Sequence, residues 1–363
     1  MWPYWFLFSL PAFLAMVQKP SYRPVTKKWP YIWWAGYFLL VLMIGLRYEV
    51  GGDWFNYARQ FDFGFQDFSF NAVIAGDPSY KLLMWLAIET GGKMVLVNFI
   101  ASLIFAWGLV VFCRAQPRSW LALAVAIPYL VTVVAMGYTR QGISIGLVML
   151  AIVALTEKNM MRYFIFMAIA VTFHKSAIIV LPLVALISSG NRWIKLFLTL
   201  IIGVLLYWLL VRDASDKLYA NYVGTEYSSS GTVIRLAMNA LPASLFLLLG
   251  KRFRLAKAEN SFWTMMSLAS FGFIALFFIS PSSTAVDRLA LYWIPLQLFV
   301  YSRLPDVLGR PGGANTTWIF LILLFYALVL FVWLFFAENA YGWLPYQFFP
   351  WQWFWDLPGK LRV

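Results

Sequence analysis

The chain has 363 residues, 62% of them apolar and 12% charged; soluble domains carry roughly 25% charged residues, so a soluble globular protein is excluded. The apolar runs are continuous rather than alternating, which excludes a membrane β-barrel. The net charge of +13 reads as Lys and Arg gathered in cytoplasmic loops rather than as a nucleic-acid surface, and one Cys with one His allows neither a disulfide framework nor a Cys/His zinc site.

Apolar runs follow one another at 2–17, 31–46, 94–112, 119–136, 141–155, 163–187, 193–211, 233–249, 262–280, 289–302 and 317–337. A membrane span needs roughly 20 residues. The pattern therefore predicts one integral membrane domain over residues 1–363, an all-α polytopic transmembrane bundle of about 10–12 membrane segments. The first run is followed, not preceded, by positive charge (Lys19, Arg23, Lys27, Lys28). That is the reverse of a signal peptide, so the run is expected to be a retained span with its N-terminus outside. Alternation then puts 18–28 inside and 47–93 outside, with an interfacial helix over 79–90. Arg114 and Arg118 fall inside, Tyr138-Thr139-Arg140 outside, and Lys158 and Arg162 inside.

Residues 163–187 decide the remaining topology. Their centre reads Phe173-His174-Lys175-Ser176, and an ionic pair at the middle of a span is costly. A single crossing would put the basic cluster Lys251-Arg252-Phe253-Arg254-Leu255-Ala256-Lys257 outside. A broken or re-entrant helix pair with His174 near its apex puts the cluster inside. Beyond His174 the second arrangement counts eight Lys/Arg inside against six outside, and four cations within seven residues are a strong local signal. It also leaves 212–232 as an extracytoplasmic loop and 346–363 as an aromatic amphipathic tail. Arg47, Arg140, His174, Arg235 and Arg288 then all fall near the extracytoplasmic ends of helices.

Several of these groups carry chemistry. In Gly45-Leu46-Arg47 through Gly51-Gly52-Asp53 to Tyr57, a span ends in an Arg and a double Gly permits a sharp turn. This reads as a membrane-edge turn with a snorkelling Arg, or as a binding loop in which Arg47 grips an anion and Asp53 a sugar hydroxyl or a proton. Arg140, Arg235 and Arg288 each open a helix. An Arg at a helix N-terminus suits a phosphate or pyrophosphate, because its planar fork binds bidentately and stays charged. His174 is able to accept a proton, and neighbouring arginines would hold its pKa below the usual value of roughly 6.5. No Walker loop, dinucleotide fingerprint or serine-hydrolase elbow is present. The carboxylates do not cluster as metal ligands. No metal or other cofactor is expected, and an activated substrate must bring its own leaving group.

Four ordered motifs resemble the EpsG-like family of Wzy-type polysaccharide polymerases: Gly45 to Tyr57, Thr139-Arg140-Gln141-Gly142-Ile143, Phe173-His174-Lys175-Ser176-Ala177, and Asp287-Arg288-Leu289 with Tyr292. The later Asn339-Ala340-Tyr341 and Leu344-Pro345-Tyr346 are similar to that family's C-terminal region. Gly52 stands where the pattern has a small polar residue. The resemblance covers roughly residues 40–350.

The resemblance implies a GT-C-like, metal-independent, inverting membrane glycosyltransferase at the outer face of the bacterial inner membrane. It would join oligosaccharide repeat units carried on undecaprenyl pyrophosphate into exopolysaccharide or O-antigen. Donor and acceptor are both lipid-linked, membrane lipid surrounds the chain, and a chain-length regulator and a flippase are the protein partners implied. The expected roles are as follows. Arg140 and Arg288 hold the donor pyrophosphate. Arg47, Arg235, Tyr57 and Tyr292 position the second lipid or the sugar chain. His174 is the base, with Asp53 as its rival. The alternatives are a ligase passing finished glycan to another acceptor, a transporter of the lipid-linked oligosaccharide, and a structural subunit whose arginines are lipid anchors.

Overall fold

The computed structural model describes residues 1–22, 28–62, 76–186, 231–280 and 282–351, with single positions at 197, 200, 201 and 204. Most of the predicted run 193–211, the loop 212–230 and the tail beyond 351 lie outside the described residues. Those described form an all-α polytopic bundle. Its helices are α1 (Trp2–Val17), α2 (Tyr31–Gly45), α3 (Trp54–Asp62), α4 (Pro78–Glu89), α5 (Lys93–Arg114) and α6 (Ser119–Ala126), which widens into a π-helix over Ile127–Ala135. They continue as α7 (Thr139–Thr156), α8 (Met160–Phe173) and a 3-10 segment Lys175–Leu186. After these come α9 (Thr232–Leu249), α10 (Lys257–Ile279), α11 (Ser283–Ala290), α12 (Ile294–Leu308) and α13 (Thr316–Phe336).

Among the described residues five helices are long and apolar enough to cross a membrane: α5, α7, α10, α13 and α9 with its 3-10 extension. Four shorter apolar helices accompany them, namely α1, α2, α6 with its π-helix, and α8. The 22 residues of α5 rise about 33 Å, enough for a hydrocarbon core of roughly 30 Å. Burial identifies the centre of the bundle. The apolar window of α7 is 89% buried, against 33% for α9, α10 and α13. Helix α7 packs between α5 and α8. Its contact with α5 runs through Gly108 and Gly146, where a Cβ on either residue would strike the facing backbone. Such small-residue contacts let helices approach closely without a hydrophobic driving force.

His174 breaks the 163–187 segment as expected. Its backbone is extended (φ −156°, ψ 113°), which ends α8, and the stretch that follows is a 3-10 helix with Pro182 inside it. The Tyr163 hydroxyl lies 3.1 Å from the carbonyls of both Val180 and Leu181. The chain therefore doubles back on α8 instead of continuing along its axis.

The opposite end of the bundle is tied by a buried ion pair. Arg118 grips Asp306 through Nε at 2.9 Å and Nη2 at 2.8 Å, and Arg118 also donates to the Gly313 carbonyl at 2.6 Å. Asp306 in turn accepts from Gly312 N and Asn315 Nδ2. A buried pair holds together only when its remaining hydrogen-bonding capacity is met in this way. Arg252 and Arg254 line one cavity with Asp306 and Gly312. The basic turn thus lies at the Arg118 end of the bundle.

A strap closes the other end. The segment after α13 pairs Gly342 O with Gly51 N at 2.7 Å, Gln347 O with Tyr48 N at 3.0 Å, and Phe349 N with Leu46 O at 2.8 Å. Trp343 lies beneath it, and its indole N–H donates to the Thr132 carbonyl at 2.6 Å within the π-helix, whose widened turn alters the usual carbonyl pairing.

Candidate functional site

The loop from Gly45 to Tyr57 is held from below by Arg47. That side chain is 1% exposed. Its guanidinium donates to the carbonyls of Ile44 and Val50, to Asn98 Oδ1 at 2.9 Å and to Thr139 Oγ1 at 2.9 Å. It thus caps the last turn of α2, fixes the following loop, and ties both to α5 and to the start of α7. Where the sequence suggested a grip on an anion, the structure shows Arg47 buried, with its guanidinium donating to four protein acceptors. Gly51 is needed where it stands, with φ 113° and a backbone so close that a Cβ would meet the Met136 carbonyl.

Above this bracket runs a polar chain. Asp53 accepts from the Tyr57 hydroxyl at 3.3 Å, and that hydroxyl accepts from Arg140 Nε at 3.0 Å. Arg140 Nη1 pairs with Asp77 Oδ2 at 2.9 Å. The guanidinium also lies over the rings of Tyr57 and Tyr80, at 5.4 and 5.6 Å from their centroids. Burial pushes the Asp77 carboxyl above its usual range, against the pull of Arg140. The Arg140 side chain nevertheless stays 38% exposed, so it is held in place and still reachable. Asp77 is a partner that the sequence reading did not anticipate; its only signal is a carboxylate one residue before the Pro that opens α4.

His174 lies beyond the last residue of α8 and is half-buried. Its Nδ1 contacts the Ser176 hydroxyl and lies 3.3 Å from the Tyr292 hydroxyl. Ser176 donates to Tyr292 at 3.4 Å, Tyr292 to Ser144 at 3.1 Å, and Ser144 to the Ala170 carbonyl at 2.9 Å. A carbonyl can only accept. The Tyr292 and Ser144 hydroxyls therefore pass their hydrogens onward, and the Ser176 hydroxyl and Tyr292 hold Nδ1 of His174 at the head of this run. Burial first, and then Arg140 and Arg288, push the imidazole pKa down to about 3, so the ring is neutral throughout the physiological range. Ser144 also escaped the sequence reading, although it stands four residues after Arg140, on the same face of α7.

Arg288 lies in the last turn of the short helix α11 rather than opening a helix as expected; it sits over the ring of Tyr138 at 5.2 Å, and its backbone carbonyl accepts from Gln141. Arg140 and Arg288 both act on His174, which brings three of the expected residues into one cluster with Asp53, Tyr57 and Tyr292. Arg235 stands at its margin. Its Nε pairs with Asp287 at 2.6 Å, the two side chains being 13% and 8% exposed. No group of three His, Cys, Asp or Glu side chains suited to a metal ion occurs among the described residues.

Residues 31–348 match the EpsG family. The chain belongs to the EpsG family. With its apolar helices, that membership makes it a multi-pass member of a family of membrane polysaccharide polymerases. No curated protein and no solved structure gives a significant match. The EpsG match runs from the start of α2 to the strap over the Gly45–Tyr57 loop, and so takes in every residue of the cluster.

Proposed function

We propose that this EpsG-family protein is a glycosyltransferase that joins lipid-pyrophosphate-linked oligosaccharide units, with undecaprenyl pyrophosphate as the leaving group. The observation that carries this reading is Arg140, which is anchored by Asp77 and Tyr57 yet 38% exposed, so that its guanidinium is held in place and within reach of a phosphate. Arg140 and Arg288 bind the donor pyrophosphate and offset the charge that develops as it departs. The acceptor hydroxyl oxygen attacks the anomeric carbon, the bond from that carbon to the pyrophosphate oxygen breaks, and the electron pair leaves with the lipid pyrophosphate. The hydroxyl proton passes to Nε2 of His174. A single displacement of this kind inverts the anomeric centre. Asp53 and Tyr57 hold Arg140 in position and face the acceptor sugar. Nothing in this scheme draws on a nucleotide, since the donor is already activated.

The His174 end is assigned to the extracytoplasmic side of the inner membrane. Support comes from the basic turn 251–257 at the other end, because cytoplasmic loops hold the excess of Lys and Arg. The test is reconstitution of the purified chain with a defined lipid-linked repeat unit, without added metal or nucleotide. A ladder of products with released lipid pyrophosphate supports polymerisation. A single transfer to a different acceptor would make the protein a ligase, and intact substrate would sink the proposal.

A further inference from the structure

At the Arg118 end lies a cavity of about 520 Å³ lined by Tyr22, Phe253, Glu259, Asp306 and three arginines, Arg252, Arg254 and Arg303. Its size falls within the range of small-molecule sites, roughly 300–1,000 Å³. It is built from four separate parts of the chain: the segment before α2, the turn between α9 and α10, the end of α12 and the loop after it.

The charges in this cavity are not balanced. Asp306 is fully engaged by Arg118, Gly312 and Asn315. Glu259 lies 3.7 Å from Arg303, whose side chain is held in the wall by Gln116 and the face of Phe299. Arg252 and Arg254 are exposed and make no ion pair or hydrogen bond among the described residues. Arg254 also adopts a left-handed backbone (φ 52°, ψ 43°), which an arginine rarely takes and a glycine takes freely. The turn that aims it at the cavity is thus held against its local preference, as segments at ligand sites often are.

We infer that this cavity binds a phosphate-bearing anion, with Arg252 and Arg254 as its principal contacts and Arg303 as a fixed positive wall. Arginine forks match phosphate oxygens bidentately, and the aromatic side chains of Tyr22 and Phe253 offer an apolar flank. Helix α12 connects the two ends of the molecule. Tyr292 stands just before its first turn and Asp306 in its last, roughly 20 Å apart at 1.5 Å per residue. The anion site is therefore separate from the His174 cluster. Two sources offer the same chemistry, an anionic lipid headgroup and a soluble phosphate compound.

The full chain in phosphatidylcholine nanodiscs is the starting sample, and its thermal unfolding midpoint is the readout. One arm replaces part of the lipid with phosphatidylglycerol, and the other adds inorganic pyrophosphate. The wild-type midpoint should rise in at least one arm. The rise should vanish in the double variant Arg252→Gln/Arg254→Gln. Arg254→Gly keeps the turn and removes one guanidinium, so it should fold as well as wild type while its apparent affinity drops about tenfold. A rise with phosphatidylglycerol identifies a lipid headgroup, and one with pyrophosphate in phosphatidylcholine a soluble phosphate. Any pyrophosphate response that Arg288→Lys abolishes belongs to the other end. No rise in either arm, or a rise undiminished in both variants, overturns the assignment.

Discussion

The hydroxyl of Tyr292 lies 3.3 Å from Nδ1 of His174, across 118 residues of sequence, and passes its own hydrogen to Ser144. This contact orients the one imidazole in the chain. Tyr292→Phe should leave the protein folded and its donor affinity unchanged while lowering turnover about 5- to 10-fold, the equivalent of one hydrogen bond of ~1 kcal/mol. Initial rates of ladder formation measure this, and a Phe variant with wild-type turnover would show that the tautomer is set elsewhere.

His174→Ala should cost on the order of 10²–10⁴ in turnover, the usual contribution of a general base, with donor binding retained. The pH profile is also specified. The pKa of His174 is pushed down to about 3, so the neutral, proton-accepting form persists at every pH above that. Turnover should show no acid limb from this residue between about pH 5 and 8, because a depressed pKa moves the loss to lower pH. An acid limb near the unperturbed value of roughly 6.5 that disappears in His174→Gln would mean that its surroundings do not depress the ring's pKa.

The arginines should separate by role. Arg140→Lys and Arg288→Lys should lose most activity while keeping their thermal midpoints, since a lysine point charge cannot reproduce the forked contact with phosphate. Arg47→Lys should do the opposite first. It abandons several buried acceptors at once and should destabilise the fold by about 3 kcal/mol. Thermal unfolding and product ladders on the same preparations distinguish the two cases. An Arg47→Lys protein as stable as wild type would contradict the bracket described above.

Sidedness is open to direct labelling. The single native cysteine, Cys113, is buried and gives little background. A cysteine at exposed Asn56 should react with an impermeant thiol reagent from the extracytoplasmic side, and one at exposed Ala256 should not. The reverse pattern would turn the His174 cluster toward the cytoplasm and remove it from any externally presented lipid-linked substrate.

Composition and periodicity alone determined that the chain is an all-α membrane bundle, because a lipid environment leaves the backbone few other ways to satisfy its hydrogen bonds. The break at His174 was legible for a related reason: a His-Lys pair in mid-span is costly enough to predict a turn. The helix over Pro78–Glu89 likewise follows from a local apolar pattern. What local pattern did not carry was the sorting of the cations. Arg47, Arg140, Arg235 and Arg288 look alike in sequence, each at a helix end. Only the packed structure seals Arg47 among protein acceptors, pairs Arg235 with Asp287 in largely buried surroundings, and pairs Arg140 with Asp77 while leaving it 38% exposed. Asp77, Ser144 and the strap of Trp343 over the motif loop were hidden for the same physical reason. Their roles arise from contacts between residues far apart in the chain, and such contacts leave no period or spacing for a linear reading to detect.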